Sequence, residues 1–123
     1  MTPLCGMDMA LNDIERKRIE NVVDAFVQRR RPAPHIRPML DIGFRVAGQN
    51  VEIFEIRPRW KEPDVKMENP VAKATFVRSQ ARWKLFWMRA DLKWHGYEPS
   101  PVVDSIEKFL ADVDKDEYGC FWG

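Results

Sequence analysis

The sequence predicts an α+β fold, in which a four-stranded antiparallel meander is flanked by an N-terminal and a C-terminal helix. Residues 40–59 and 71–88 alternate apolar and polar side chains with the period of two that is typical of half-buried strands. Residues 12–30 and 100–113 instead repeat apolar side chains at helical spacing. Because the strands follow one another through short connections, without helices between them, the sheet should be antiparallel.

Length and composition favour one globular domain over residues 1–123, with residues 1–11 a loose lead-in and residues 116–123 a docked tail. Hydrophobic residues make up 45% of the chain and charged residues 32%, which is typical of a folded, soluble protein. No stretch approaches the roughly 18 consecutive apolar residues of a membrane span. We therefore expect no membrane association.

The two cysteines, Cys5 and Cys120, lie near opposite ends of the chain and form no CxxC motif. The N-terminus has no basic stretch followed by an apolar one, as a secretory signal would. These features favour a cytoplasmic location with both thiols reduced, and a disulfide joining the termini is the less favoured alternative.

The first helix is predicted to begin after Asn12, whose side chain can form a capping box with Glu15, and to end at about Arg30, before Pro32. Its apolar stripe consists of Ile19, Val22, Val23 and Phe26.

The densest basic patch follows directly, at Arg29-Arg30-Arg31, His35 and Arg37. It has the charge of a phosphate-binding element. It is also what a helix C-terminus favours, because cations there interact well with the helix dipole. We favour the second interpretation.

The first hairpin joins a strand over residues 40–46 to a strand over residues 51–59 through a turn at residues 47–50. If Val46 lies opposite Val51, Arg45 faces Glu52 and forms a cross-strand ion pair.

A proline-bounded loop is predicted from Pro58 to Pro70. Within it, Trp60 lies between Arg59 and Lys61. Such an aromatic side chain can stack on a nucleic-acid base. It can equally anchor the loop on the body of the protein with a cation–π contact. The anchor is the favoured interpretation.

The second hairpin joins residues 71–78 to residues 82–88, and a two-residue turn at Ser79-Gln80 fixes its register. Small residues then face large ones, which a packed surface requires. The expected pairs are Phe76 with Trp83, Ala74 with Leu85, and Ala72 with Trp87. Because both faces of the returning strand become apolar towards its end, we expect it to be an interior strand covered on both sides there.

The last helix is predicted to begin with Ser100 as its cap and Pro101 in its first position. We expect Phe121 and Trp122 in the tail to pack into apolar gaps on the body of the protein. The stripe that faces the sheet consists of Val103, Ile106, Phe109, Leu110 and Val113.

The formal net charge of +1 hides an asymmetry, because residues 1–99 carry an excess of five positive charges and residues 100–123 an excess of four negative charges. Such a distribution can form a basic face that attracts an anion. It can also form a salt-bridged surface, with the acidic end over the basic body. The second is slightly favoured, since the two excesses nearly cancel.

Three segments resemble the bacterial family called domain of unknown function 3024, and the resemblance extends over roughly residues 11–123. They are VEIFEIRPRW (51–60), PVAKATFVRSQARWKLFWMRADLKWHGYEP (70–99) and DEYGCFWG (116–123). The family is small, single-domain and uncharacterised. The resemblance implies a bacterial cytoplasmic protein and transfers no activity, substrate or catalytic residue.

The sequence lacks the Walker, GxGxxG, HExxH and GxSxG motifs. Two sets of side chains are still candidates for a catalytic or metal-binding role. The first set resembles the carboxylates of metal-dependent nucleases and consists of Asp41, Glu52, Glu55 and Arg57. The predicted register puts Asp41 and Glu55 on opposite faces, so ion-paired strand residues are favoured. The second set is Asp91, Trp94, His95, Tyr97 and Glu98, with Cys120 nearby if the tail docks there. It has too few good zinc ligands, and an aromatic corner is favoured.

The leading functional hypothesis is a non-catalytic binding module that engages a protein partner, or itself, through a surface rich in Arg and Trp. Two alternatives stay open. One is nucleic-acid binding through the basic face, and the other is a metal-dependent hydrolase that uses the strand carboxylates. We predict no cofactor, no bound metal and no catalytic residue. The binding residues of the leading hypothesis are Arg57, Arg59, Trp60, Arg89 and Trp94.

Overall fold

A computed structural model describes residues 10–123 and contains two helices and six strands within that range. The elements are α1 (Asp13–Arg30), β1 (Asp41–Ala47), β2 (Asn50–Pro58), β3 (Lys66–Val77), β4 (Arg82–Met88), β5 (Trp94–Gly96), β6 (Val102–Val103) and α2 (Ile106–Lys115). The sheet order is β1-β2-β3-β4-β5, with β6 also paired to β4, and every pairing is antiparallel. The α+β class is confirmed, and two short strands join the four predicted ones. Cys5 lies outside the described residues.

Helix α1 begins as the sequence predicts. The side chain of Asn12 accepts a hydrogen bond of 2.8 Å from the Glu15 backbone N–H, and Glu15 accepts one of 3.0 Å from the Asn12 backbone N–H. The capping box is therefore complete, and it satisfies two of the backbone donors that a helix start leaves unpaired. The buried side of the helix consists of Ile19, Val23, Phe26 and Val27.

Both predicted hairpin registers are confirmed. Val46 lies opposite Val51 in the first hairpin, and an ion pair of 3.7 Å joins Arg45 to Glu52. In the second hairpin the paired residues are Phe76 with Trp83, Ala74 with Leu85, and Ala72 with Trp87.

The turn between β3 and β4 differs from the predicted two-residue turn. Residues Arg78–Gln80 form a short 3₁₀ turn, and Ala81 then adopts a left-handed φ of 50°. Ser-Gln lacks the residues that favour positive φ in tight hairpin turns, so the chain takes a longer route to the same register.

Strand β3 begins at Lys66, so the predicted loop from Pro58 to Pro70 is wrong over its second half. A β-bulge makes this possible, because Val71 is inserted between the residues that face Ile53 and Phe54. Pro70 has no N–H to donate, but β3 pairs with β4 only from Ala72 onward, so nothing on that side requires one.

Helix α2 begins five residues later than predicted. The side chain of Ser105, not that of Ser100, caps the helix by accepting a 3.1 Å hydrogen bond from the Lys108 N–H. The reason lies in Val102 and Val103, which are β-branched and extend the sheet as β6 beside β4.

The hydrophobic core lies between the two helices and one face of the sheet, which we call the inner face. Its buried side chains include Trp83 and Leu85 of β4, so the prediction that β4 is an interior strand is confirmed. On the opposite, outer face, Phe86 and Met88 are half-buried. Lys73 and Trp94 of the sheet itself lie beside Phe86 there and leave it partly exposed, so the expectation that β4 is covered on both sides is met only in part.

The C-terminal tail folds back at Asp116, which ends α2 with a left-handed φ of 43°. Its carboxylate accepts hydrogen bonds from the backbone N–H groups of Phe121 (3.0 Å) and Trp122 (2.9 Å). The indole N–H of Trp122 donates to the carbonyl of Val113 at 2.9 Å, and the buried Phe121 ring packs 4.8 Å from that of Tyr97.

Within residues 10–123, no helix has the length and apolar character needed to cross a membrane.

Candidate functional site

The five residues of the predicted binding surface fall into two groups. Arg57 lies near the end of β2, and Arg59 and Trp60 follow in the connection to β3. Arg89 follows β4, and Trp94 begins β5. The β2–β3 ribbon carries the first three away from the other two, because β3 residues 66–71 extend beyond the end of its pairing with β4.

The end of that ribbon is a closed turn. The Arg59 N–H donates to the Val65 carbonyl at 2.8 Å, and the Val65 N–H donates to the Glu62 carbonyl at 2.8 Å. Within this fixed backbone, Trp60 is 86% exposed and its closest cation is Lys61, 5.3 Å from the ring. The loop-anchor prediction for Trp60 is therefore wrong, because its ring packs on a neighbour in the same turn and not on the body.

Other exposed apolar side chains gather at this end of the molecule. The segment before β1 contributes Met39, which is 66% exposed, and the Lys66 ammonium donates to the Pro38 carbonyl at 2.6 Å, which holds that segment against the ribbon. We call this region the tip surface, and it consists of Ile36, Met39, Trp60, Val65 and Met67, with Arg57 and Arg59 beside them. Exposed apolar groups collected at one place are typical of an interaction site.

The strand carboxylates do not form a metal centre. Asp41 pairs with Ile56, and Glu55 with Ile42, so Asp41 and Glu55 lie on opposite faces of the sheet, as the predicted register required. Among residues 10–123, no group of three or more His, Cys, Asp or Glu side chains is arranged to hold a metal ion.

An arginine engages each of these carboxylates. Arg31 binds Asp41 through two hydrogen bonds of 2.9 and 2.8 Å, and it holds the pKa of Asp41 below its usual value. Arg45 pairs with Glu52 at 3.7 Å, and Arg57 with Glu55 at 3.3 Å. These carboxylates are therefore ion-paired strand residues, which is the interpretation that the sequence favoured.

Three residues of the second predicted set, His95, Glu98 and Cys120, line a cleft of about 390 Å³ at the end of β4 and β5, and Asp91, Trp94 and Tyr97 are not part of its lining. The docked tail brings Cys120 to the same cleft as His95 and Arg89. His95 Nε2 lies 2.8 Å from a carboxylate oxygen of Asp91, and this hydrogen bond lowers the pKa of Asp91. Burial raises the pKa of the Cys120 thiol, which keeps it protonated and weakly nucleophilic at neutral pH.

The basic segment after α1 is engaged within the protein. Arg30 pairs with Asp114 at 2.6 Å and lies 4.2 Å from the ring of Trp122, while Arg37 donates to the Pro32 carbonyl at 2.9 Å. Together with the Arg31–Asp41 pair, these contacts support the interpretation of this segment as a cation-rich helix end, and not as a phosphate site. The pairing of α1 with α2 also supports the expected salt-bridged surface between the basic body and the acidic end.

The outer face carries an arrangement that the sequence did not predict. The Lys73 ammonium lies 4.9 Å from the ring of Phe86 and 5.0 Å from the ring of Trp94. The predicted register already places Lys73 opposite Phe86, because it sets Ala72 opposite Trp87. The contribution of Trp94 depends on β5, whose three residues carry no periodic signal.

Comparisons with known proteins give one match. A family model described as "Domain of unknown function (DUF3024)" matches residues 11–123. Neither a curated protein nor a solved structure matches the chain.

Proposed function

Because the chain belongs to the DUF3024 family, whose description names no activity, we propose from its structure that it is a non-catalytic interaction module that binds a second copy of itself through the tip surface. The observation that carries this proposal is the 86% exposure of Trp60 at the end of the two-stranded β2–β3 ribbon. Tryptophan and arginine dominate the energetic centres of protein interfaces, and Trp60 lies between two cations.

A second copy is the favoured partner because the tip carries charges of both signs. Arg59 and Lys61 are followed in the same turn by Glu62 and Asp64. In a two-fold contact each patch meets its own copy, so the cations of one chain can face the acids of the other. Within residues 10–123, the only ion pair that these four side chains form is a long one of 3.9 Å between the exposed side chains of Arg59 and Glu62. Such a pair contributes little by itself and is easily exchanged.

We also infer that the protein works in a bacterial cytoplasm, as the resemblance implied. The unpaired thiol of Cys120 is compatible with a reducing compartment.

The test is the solution mass across a concentration series, measured by sedimentation or by light scattering. We expect the average mass to rise from one chain towards two. The Trp60→Ala variant should weaken self-association by about tenfold or more, as loss of a central tryptophan does. The matched control is Ile14→Ala, which removes another side chain that is 85% exposed, but from helix α1. A mass of one chain at every concentration, or equal effects of the two variants, would contradict the proposal.

A further inference from the structure

We propose that the β3–β5 half of the outer face binds single-stranded nucleic acid by stacking bases on Phe86 and Trp94. We call this region the stacking face, and it consists of Lys73, Lys84, Phe86 and Trp94. It is separate from the tip surface and does not depend on self-association.

The two rings are held as a pair on one side of the sheet. Phe86 lies opposite Gly96, and Met88 lies opposite Trp94, so Phe86 and Trp94 are diagonal neighbours on the outer face. The Lys73 ammonium contacts both rings at about the same distance, 4.9 and 5.0 Å. Both rings are half-buried, so part of each remains accessible.

Gly96 leaves room beside the rings. A Cβ atom built on Gly96 would meet no other atom within 4 Å, so the space next to Phe86 is open. A flat base can therefore approach the rings from this edge of the sheet without displacing a side chain of β5.

The charge of the stacking face suits a phosphate backbone. Lys73 and Lys84 lie on the outer face of adjoining strands, and Arg82 lies further along β4. Within the described part of the chain, none of these three cations has an ion pair. Although Lys73 stands opposite Glu52, that carboxylate pairs with Arg45 instead.

In the other half of the outer face, by contrast, the cation is paired with carboxylates and the ring beside it is buried. Arg45 lies 5.0 Å from the ring of Phe54 and forms ion pairs with Glu52 and Glu68. Phe54 is buried, and the positive charge is matched by two negative ones. The stacking face has accessible rings and unmatched cations in the same kind of setting.

This combination favours a single strand over a duplex. Bases that are already stacked in a duplex hide their faces, whereas unpaired bases stack on aromatic side chains while cations follow the backbone. Since few cations are present and the net charge is only +1, we expect weak binding with little sequence preference.

The test is fluorescence anisotropy at low salt with a labelled oligothymidylate of about 15 nucleotides, a length that spans one such site. The protein is kept at concentrations where it is a single chain, so failure of self-association leaves this result unaffected. We expect saturable binding that weakens with salt with a logarithmic slope of about −2 for three phosphate contacts. Phe86→Leu and Trp94→Leu should each lower the affinity about tenfold, and Lys84→Gln should flatten the slope by about 0.7.

Matched controls separate stacking from general charge. Tyr118→Leu removes an exposed aromatic side chain elsewhere, and Lys17→Gln removes an exposed lysine from α1. Both should bind as the parent protein does, and unchanged thermal melting shows that each variant is folded. The proposal is overturned if no saturable binding occurs, if a duplex of equal length binds as tightly, or if both leucine variants bind normally. Amide shift mapping on the parent protein gives a second readout, which must centre on β3, β4 and β5.

Discussion

The guanidinium of Arg31 binds the carboxylate of Asp41 through two parallel hydrogen bonds, Nε to Oδ1 at 2.9 Å and Nη2 to Oδ2 at 2.8 Å. This contact joins the end of α1 to the start of β1, across a segment that contains three prolines. The Asp41 carboxylate also accepts a hydrogen bond of 2.8 Å from the Ile42 N–H. A bidentate ion pair of this kind fixes the relative orientation of the two side chains as well as their distance, so it helps to determine how α1 packs on the sheet.

The Arg31–Asp41 pair predicts a pH dependence of stability. The hydrogen bonds from Arg31 lower the pKa of Asp41 in the folded protein, so the carboxylate stabilises the fold above its unfolded pKa of about 3.9. This contribution is lost as the pH falls through the lower, folded-state pKa. Asp41→Asn should therefore reduce the melting temperature at pH 7, and the difference from the parent protein should shrink towards zero in strong acid. A difference that stays constant from pH 7 to the acid limit would contradict the assignment.

The capping box predicts the cost of removing Asn12. Replacing an N-cap Asn by Ala typically costs about 1 kcal/mol, because a backbone N–H at the helix start loses its acceptor. Chemical denaturation should detect this change in Asn12→Ala. Asn21→Ala is the matched control, since Asn21 is exposed within the same helix and Ala is the better helix former there. It should leave the free energy of unfolding unchanged or raise it slightly.

The small-against-large pairing in the second hairpin predicts an overpacking penalty. Ala74 is fully buried opposite Leu85, which is 1% exposed. Ala74→Leu should destabilise the protein by roughly 1–3 kcal/mol, because the added atoms have no room in a close-packed core. Ala111→Leu makes the same change on the exposed side of α2 and should have little effect. Equal unfolding free energies for the two variants would mean that the inner face is loosely packed.

The same pairing shows how much of the fold the sequence determines. Ala72, Ala74 and Phe76 could be matched to Trp87, Leu85 and Trp83 because side-chain volumes alternate along both strands. The start of α1 could likewise be predicted from a few adjacent residues, because Asn12 and Glu15 have the spacing of a capping box. The strands β5 and β6 contain three and two residues, too few for a period to be recognised, and their existence depends on the open edge of β4.

The other differences between the predicted and the observed structure arise where a short stretch of sequence fits two conformations equally well. Ser100 and Ser105 are both acceptable helix caps, and the choice between them depends on Val102 and Val103 pairing with β4. Trp60 among cations has the same local sequence whether it packs on the body or projects from it. Arg57 and Trp94 were placed on one predicted surface because of their residue types, but the length of the β2–β3 ribbon separates them.

The tail predicts a change in thiol reactivity, because Asp116 holds it in place. Asp116→Ala removes the acceptor for the backbone N–H groups of Phe121 and Trp122, and it leaves a non-glycine residue at a left-handed φ of 43°. The tail should then open more often and expose Cys120, whose protonated, partly buried thiol reacts slowly in the docked state. In a Cys5→Ser background, so that one thiol is counted, the labelling rate of Cys120 should rise severalfold.

Asp116→Asn is the informative companion to that experiment. Asparagine tolerates left-handed backbone and keeps one side-chain acceptor, so its labelling rate should fall between those of the parent protein and Asp116→Ala. Glu117→Ala, one residue further along and exposed, serves as the control and should not change the rate. If Asp116→Ala labels no faster than Glu117→Ala, the side-chain hydrogen bonds do not hold the tail. Burial of Phe121 against Tyr97 would then be sufficient to keep it docked.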